Sequence, residues 1–323
     1  MDLREQEDEL CSLVEDILAE AKKQGADQAE VSVSVDSGLV VSVRKGELEN
    51  LEFNQDRGFG ITLYVGQRKG SASTTDSSPD AIRDTVEAAK NIARHTEEDP
   101  CSGLASADLM PAELKDLDLF HPWDIQPDDA MAMAAACEQA GLAVDARLTN
   151  SDGAEVNTQQ ALRVDGNSHG FIGADAGTRH GLNCVLIGED DNGMQRDYWY
   201  TVARNAKDLE APAAVGEQAA ARAVARLSSR SAPTGTYPVL YTPSMASGLI
   251  GHLIGALSGG ALYRRASFML DSMGEKILPE WLSLVERPHL SGALGSANFD
   301  GDGVATRSKA FVEDGLVASY VLS

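Results

Sequence analysis

The chain has 323 residues and a mass of 34.2 kDa, more than one hydrophobic core usually serves, so two or three domains are expected. With 43% hydrophobic and 24% charged residues it is neither wholesale disordered nor fibrous. The 50 Asp and Glu outnumber the 27 Lys and Arg to give a net charge of −23, a field that repels phosphate backbones and anionic lipid and argues against nucleic-acid or membrane-surface partners.

The start of the chain is acidic and lacks the basic-then-apolar order of a secretion signal. No stretch approaches the roughly 18 apolar residues that span a bilayer. The expected location is the cytoplasm. Residues 3–24 predict a helix, with Leu10, Leu13, Val14, Ile17 and Leu18 at helical spacing before Gly25. The period then becomes two. Val31, Val33 and Val35 alternate with polar residues, and short runs follow over Val40–Val43, Leu48–Phe53, Gly60–Val65 and Lys69–Thr74. Gly38, Gly46, Gly58 and Gly66 punctuate them and predict an antiparallel meander. Ser78 can cap a helix that opens at Pro79, with Asp80 favourably near its positive end. These elements form an expected N-terminal α+β domain over residues 1–100.

The expected middle region, residues 101–231, is rich in strands and flanked by helices. Pro100, Pro111 and Pro122 mark an irregular connector, and a helix runs from Pro127 to Gly141. Short strands between Gly, Asn and Asp turns follow from Ala143 to Arg204. Pro212 opens an alanine-rich helix ending near Leu227, whose small side chains predict close packing. Residues 232–323 are read as a partial, β-rich C-terminal domain. It would hold a strand over Val239–Thr242, a very apolar helix over Ser244–Leu257 and a glycine-rich tract from Gly292 to Gly303. Helices alternating with blocks of hairpins give α+β as the fold class, with antiparallel or mixed sheets.

Several motifs fail on their own chemistry. Gly58-Phe59-Gly60 begins a dinucleotide fingerprint but continues as a strand, without the helix N-terminus that would hold a pyrophosphate. Gly166-Asn167-Ser168-His169-Gly170 spells a nucleophile elbow, yet the residues that follow are a poor helix, so a polar turn is expected. Asn298–Gly303 imitates the front of a calcium loop, but Lys309 stands where a bidentate Glu is needed. Cys11, Cys101, Cys137 and Cys184 are far apart and suggest neither a disulfide framework nor a zinc ribbon. The six histidines include no HxH or HExxH pair, and His252 on the apolar helix reads as a hydrogen-bonded core residue. Arg196-Asp197-Tyr198-Trp199-Tyr200 is the densest aromatic cluster. As a strand it presents Tyr198 and Tyr200 on one face and Trp199 on the other, one face core and the other a cleft wall or a subunit interface.

Taken in order, a set of segments resembles the TldD/PmbA metallopeptidase family. It comprises Arg57–Gly66 with Lys69–Asp76, Ser168–Phe171, the Arg196–Tyr200 cluster, Ser244–Ala261, and Asp300–Arg307 with Phe311–Gly315. The segments look more like the PmbA (TldE) branch than the TldD branch. The resemblance implies a cytoplasmic zinc peptidase assembly that cleaves unfolded peptides, associated with microcin maturation, antitoxin degradation and modulation of DNA gyrase inhibition. TldD proteins carry HExxxH on a helix, and the matching residues here run from Ser247 to His252. Ser247 replaces the first histidine, Gly248 replaces the general-base Glu, and His252 is the one remnant. Activating a zinc-bound water needs ligands and a proton acceptor that these positions lack.

The resemblance therefore implies a non-catalytic subunit with no catalytic residue, metal or cofactor of its own. Zinc would sit in a TldD-like partner of a hetero-oligomer, with homodimers when the chain is alone, and His169, Tyr198, Trp199 and Tyr200 would contact peptide or partner. Family members continue beyond the position equivalent to Ser323, so the C-terminal domain is expected to be shortened, with an open sheet edge. Two rivals stand beside this reading. One is an independently active peptidase using His252, His169 and Asp175. The other is a homo-oligomeric scaffold without a protease role. A local basic patch at Arg222, Arg226 and Arg230 is the one feature that could favour nucleic acid.

Overall fold

The computed structural model describes residues 3–322 and divides into two compact units. One takes the chain up to Asp108, Leu114–Arg230 and Ser291–Leu294; the other takes Leu109–Glu113, Ser231–Leu290 and Gly295 onward.

The first unit is built on a six-stranded antiparallel sheet. Its strands are β1 (Gln28–Arg44), β2 (Glu47–Val65), β3 (Arg68–Thr74), β4 (Leu148–Asn167), β5 (Ile172–Asp190) and β6 (Gly193–Ala203), in the order β3-β2-β1-β4-β5-β6. Four helices lie on one face: α1 (Glu7–Lys23), α2 (Pro79–His95), α3 (Pro127–Leu142) and α4 (Pro212–Ala225). The α+β class read from the sequence is the one observed.

Along β1 the buried positions are Val31, Val33, Val35, Leu39, Val41 and Val43, all odd-numbered and therefore all on one face. They divide between two cores. Val31–Val35 pack with Leu10, Val14 and Ile17 of α1 and Val86 and Ala89 of α2. Leu39–Val43 pack with Ala130, Ala134 and Cys137 of α3 and Val215, Ala219 and Ala223 of α4. Burial of such aliphatic side chains stabilises by about 1.5–3 kcal/mol each, so this face carries most of the unit's stability.

The chain departs from the expected meander of short strands. β1 passes through Gly38 and β2 through Gly58 without turning. A Cβ at Gly38 would lie 2.6 Å from Asn54 Oδ1 and 3.0 Å from the Thr158 carbonyl, so glycine is there for close strand approach. Gly46 and Gly66, at φ 76° and 58°, are the true turns. The expected helices at Pro79, Pro127 and Pro212 all form, and Ser78 caps the first through the Ala81 amide. The alanine-rich helix packs closely as predicted: a Cβ on Gly216 of α4 would overlap the Cys137 carbonyl of α3.

The second unit holds α5 (Pro243–Ala256), α6 (Gly259–Tyr263) and a small antiparallel sheet, β7 (Leu284–Glu286), β8 (Lys309–Glu313) and β9 (Leu316–Val317). Its core gathers Leu257, Met269, Phe311 and Val317, with Leu253, Ile254 and Ala256 of α5 packed against it. The strand expected over Val239–Thr242 does not form. Those residues pair with no strand among the described residues, and Leu240 is 92% exposed.

Candidate functional site

The aromatic cluster lies on β6, the last strand of the large sheet. Its faces are as the alternation requires. Trp199 turns toward α4 and joins that core, while Tyr198 and Tyr200 are about half exposed on the opposite face, their rings 6.3 Å apart and near parallel. Asp197 is buried between them and α4, and accepts from the Tyr198 amide at 2.8 Å, Arg222 Nε at 3.2 Å and Arg226 Nη1 at 3.5 Å. Burial pushes its carboxyl up, but the Tyr198 amide and the two guanidinium groups outweigh it and hold the pKa below the ordinary value. The same Arg222 guanidinium lies 5.5 Å from the Trp199 ring and 5.9 Å from Tyr198. Two members of the expected basic patch, Arg222 and Arg226, are thus drawn to Asp197.

The Ser168 turn joins β4 to β5, and no helix follows it. Ser168 Oγ accepts from the Ala29 amide at 3.1 Å, a structural bond that fastens the turn to β1. His169 is exposed, with its amide donating to Asn167 Oδ1. Asp175 sits on β5 directly across from Arg163 of β4. Burial raises its pKa against the opposing pull of Arg204 and Arg163. Arg163 also donates to Asp165 Oδ1 and Ser32 Oγ, which makes the helix-free face of the sheet polar.

On α5, Ser247 Oγ donates to the Ser244 carbonyl, Gly248 offers no side chain and His252 is exposed. The expected core histidine is therefore a surface one, because α5 packs through Leu253, Ile254 and Ala256 and turns residue 252 outward. A donor set of one imidazole does not fit a zinc site, which takes about three protein ligands. Among the described residues, no group of three or more His, Cys, Asp or Glu is placed to hold a metal ion. In the glycine-rich tract Asp300 Oδ1 accepts the amides of Asp302 and Val304, closing its own loop, while Lys309 pairs with Glu286 at 3.5 Å.

One feature was not legible as a site. The connector Pro122–Pro127 crosses the helix-bearing face where the two cores part, and with Leu39, Leu51, Phe53, Thr158 and Gln160 it lines a cleft of about 690 Å³. Its polar floor is internally satisfied. Gln160 Nε2 donates to Ser37 Oγ at 3.0 Å, and the Thr158 hydroxyl meets His180 Nδ1 at 2.8 Å. His180 is fully buried, its Nε2 lies 2.9 Å from the His121 carbonyl, and its ring stands edge-on to Trp123 at 5.5 Å. Trp123 and Ile125, alternating between two prolines, were the signal available in the sequence; a proline-rich connector draws attention to its breaks instead.

The sequence matches three domains of one family: PmbA/TldA metallopeptidase domain 1 over residues 29–93, the central domain over 120–227 and the C-terminal domain over 234–323. It is 46% identical over 306 residues to Metalloprotease PmbA of Escherichia coli O157:H7, covering 95% of this chain and 67% of that protein. The Metalloprotease PmbA homolog of Haemophilus influenzae is 43% identical over 321 residues, covering 99% and 71%. A solved structure from Bacteroides thetaiotaomicron VPI-5482, with a proposed role as a modulator of DNA gyrase, superposes with a TM-score of 0.90 at 26% identity, covering 96% of this chain and 71% of that one.

Proposed function

From the premise that the chain belongs to the PmbA/TldD metallopeptidase family, we propose that it is the PmbA-type subunit of a metalloprotease that cleaves unfolded peptides, itself without hydrolytic zinc. The observation that carries this reading is α5, where Ser247, Gly248 and an outward His252 occupy the six-residue span that holds two ligands and a general base in the TldD branch. Zinc lowers the pKa of a bound water, and a neighbouring carboxylate takes the proton. Gly248 cannot take it. The metal would belong to a TldD-like partner, and this chain would shape the space in which an extended peptide reaches it.

Support for a docking role comes from β6. It is an edge strand, and edges with exposed aromatic rings are common places of association. We assign Tyr198, Tyr200 and the Trp199–Arg222 contact, with His169, to partner or peptide contact. The gyrase-modulator and peptide-processing associations of the family belong to the same reading, as does a cytoplasmic location. Among the described residues no helix is long and apolar enough to cross a membrane.

The test is zinc content and peptidase activity on an unfolded peptide, for this chain alone, a TldD-like partner alone and both together. The expected result is metal in the partner and faster cleavage by the pair. Stoichiometric zinc with cleavage by the isolated chain, abolished in His252→Ala, would establish the independent peptidase instead. Self-assembly with no effect on the partner would establish the scaffold.

A further inference from the structure

β1 and β2 face each other residue by residue, and the pairs Leu39↔Phe53, Val41↔Leu51 and Val43↔Leu48 place Leu48, Leu51 and Phe53 on the helix-bearing face. Their β1 partners are buried under α3 and α4, yet Leu48 is 50%, Leu51 49% and Phe53 71% exposed. The helical layer stops one strand short of the edge and leaves an apolar stripe uncovered. The stripe leads into the cleft whose far wall is Trp123 and Ile125.

The main chain beside the stripe is also open. β3 pairs with β2 only over Phe59–Val65, so from Glu47 to Gly58 the outer amides and carbonyls of β2 meet no strand among the described residues. An open edge of this length is a template for another extended chain. The charges around it are acidic. Glu47, Glu49 and Glu52 lie along the strand, Asp124 lines the cleft, and Asp128 and Asp129 open α3 immediately after the lining residue Pro127. Of the three glutamates only Glu49 has an ion-pair partner among the described residues, an exposed one with Arg44 at 3.7 Å.

We propose that this edge and cleft form a binding site for an extended peptide in which apolar and basic residues alternate. The peptide adds to β2 as a seventh strand through main-chain hydrogen bonds. Its apolar side chains lie over Leu48, Leu51 and Phe53, with one entering the cleft against Trp123, and its basic side chains meet the carboxylates. The inference rests on the reading that this chain handles peptides, and it assigns a place and a chemistry to that role. Main-chain pairing would make the site tolerant of sequence, while the acidic rim would set a preference for charge.

The probe is a fluorescein-labelled heptapeptide alternating Lys with Val and Phe, titrated with the full chain alone and followed by polarisation and tryptophan quenching. Three comparison peptides replace Lys by Glu, N-methylate alternate amides, or scramble the alternation. Binding of the basic alternating peptide is expected, with about tenfold or greater weakening in the Glu and N-methylated forms. Phe53→Asp and Leu51→Asp are expected to weaken it about as much, and both sites are exposed enough that the far-ultraviolet spectrum should not change. Met194→Ala, exposed on β6 at the opposite edge of the sheet, is the control, and Tyr200→Ala reports whether the peptide sits on β6 instead.

Equal affinity for the Lys and Glu peptides overturns the charge preference. Loss of binding in Tyr200→Ala but not in Phe53→Asp overturns the location. A chain that binds no peptide but forms a dimer broken by Phe53→Asp assigns the stripe to a second copy and overturns the site. If binding fails while the chain still accelerates its partner, this inference alone falls; if both fail, the peptide-handling reading falls with it.

Discussion

His180 is fully buried, between the Thr158 hydroxyl on Nδ1 and the His121 carbonyl beside Nε2. The carbonyl can only accept, so Nε2 carries the proton and Nδ1 accepts from Thr158. Burial disfavours a second proton and lowers the pKa from its ordinary 6.5, against the opposing pull of the His121 carbonyl. In the unfolded chain the imidazole titrates at its ordinary value. As pH falls through that value the unfolded state binds a proton that the folded state refuses, so stability is lost until the folded pKa is reached, below which the loss levels off. Thermal midpoints measured from pH 8 to pH 5 should fall through this window. In His180→Gln the midpoint should be lower at pH 8 but flatter across the window. An unchanged slope in the variant would place the proton elsewhere. Neither the burial nor the Trp123 contact of this residue was legible in the sequence, because both depend on a connector folding across the sheet, and connectors carry no period.

At the scale of elements, local chemistry announced itself where the cause was local. Proline openings, the Ser78 cap and the alternation of Val31, Val33 and Val35 each specify their own element. What misled was glycine. A glycine placed for close approach, such as Gly38, and one placed for a turn, such as Gly46, are the same letter, and only the neighbouring strands distinguish them. His252 misled for a related reason: an apolar sequence does not say which arc of a helix finds a core.

The long β1–β2 hairpin is held at its tip by a charge that no periodicity would reveal. Glu138 of α3 is 1% exposed, accepts the amides of Lys45 and Gly46 at 2.8 and 2.9 Å, and is also bonded by the Ser151 hydroxyl. Glu138→Ala should cost about 2–4 kcal/mol, since it empties a buried site, leaves the buried Ser151 hydroxyl without its acceptor and releases the two amides of the turn. Urea unfolding would report the loss. Hydrogen exchange should quicken at Val41–Lys45 and stay slow at Val31–Val35, which belong to the other core. Uniform quickening along β1 would show that the tip is not separately anchored. Glu138→Gln keeps one acceptor and should fall between the two.

For the molecule as a whole, charge and architecture pull in different directions. The net charge of −23 is spread over a chain whose ion pairs are mostly exposed, such as Arg57–Glu9 at 3.3 Å and Lys276–Glu280 at 3.9 Å, and exposed pairs are worth at most about 1 kcal/mol each. Self-repulsion of the folded state is therefore the larger long-range term. At about 10 mM salt it acts over roughly 30 Å, and at about 150 mM over roughly 8 Å. Raising sodium chloride across that range should raise the melting temperature by a few degrees, because it screens repulsion among many carboxylates while costing only a few weak pairs. The same salt should weaken a basic peptide on the β2 edge, whose attraction to Glu47, Glu52 and Asp124 is screened in the same way, but leave its main-chain pairing intact. Calorimetry and the polarisation titration, run over one salt series, would thus move in opposite directions. A melting temperature that falls with salt would mean that the exposed pairs outweigh the net charge. Salt-independent peptide binding would mean that the strand edge recognises backbone alone.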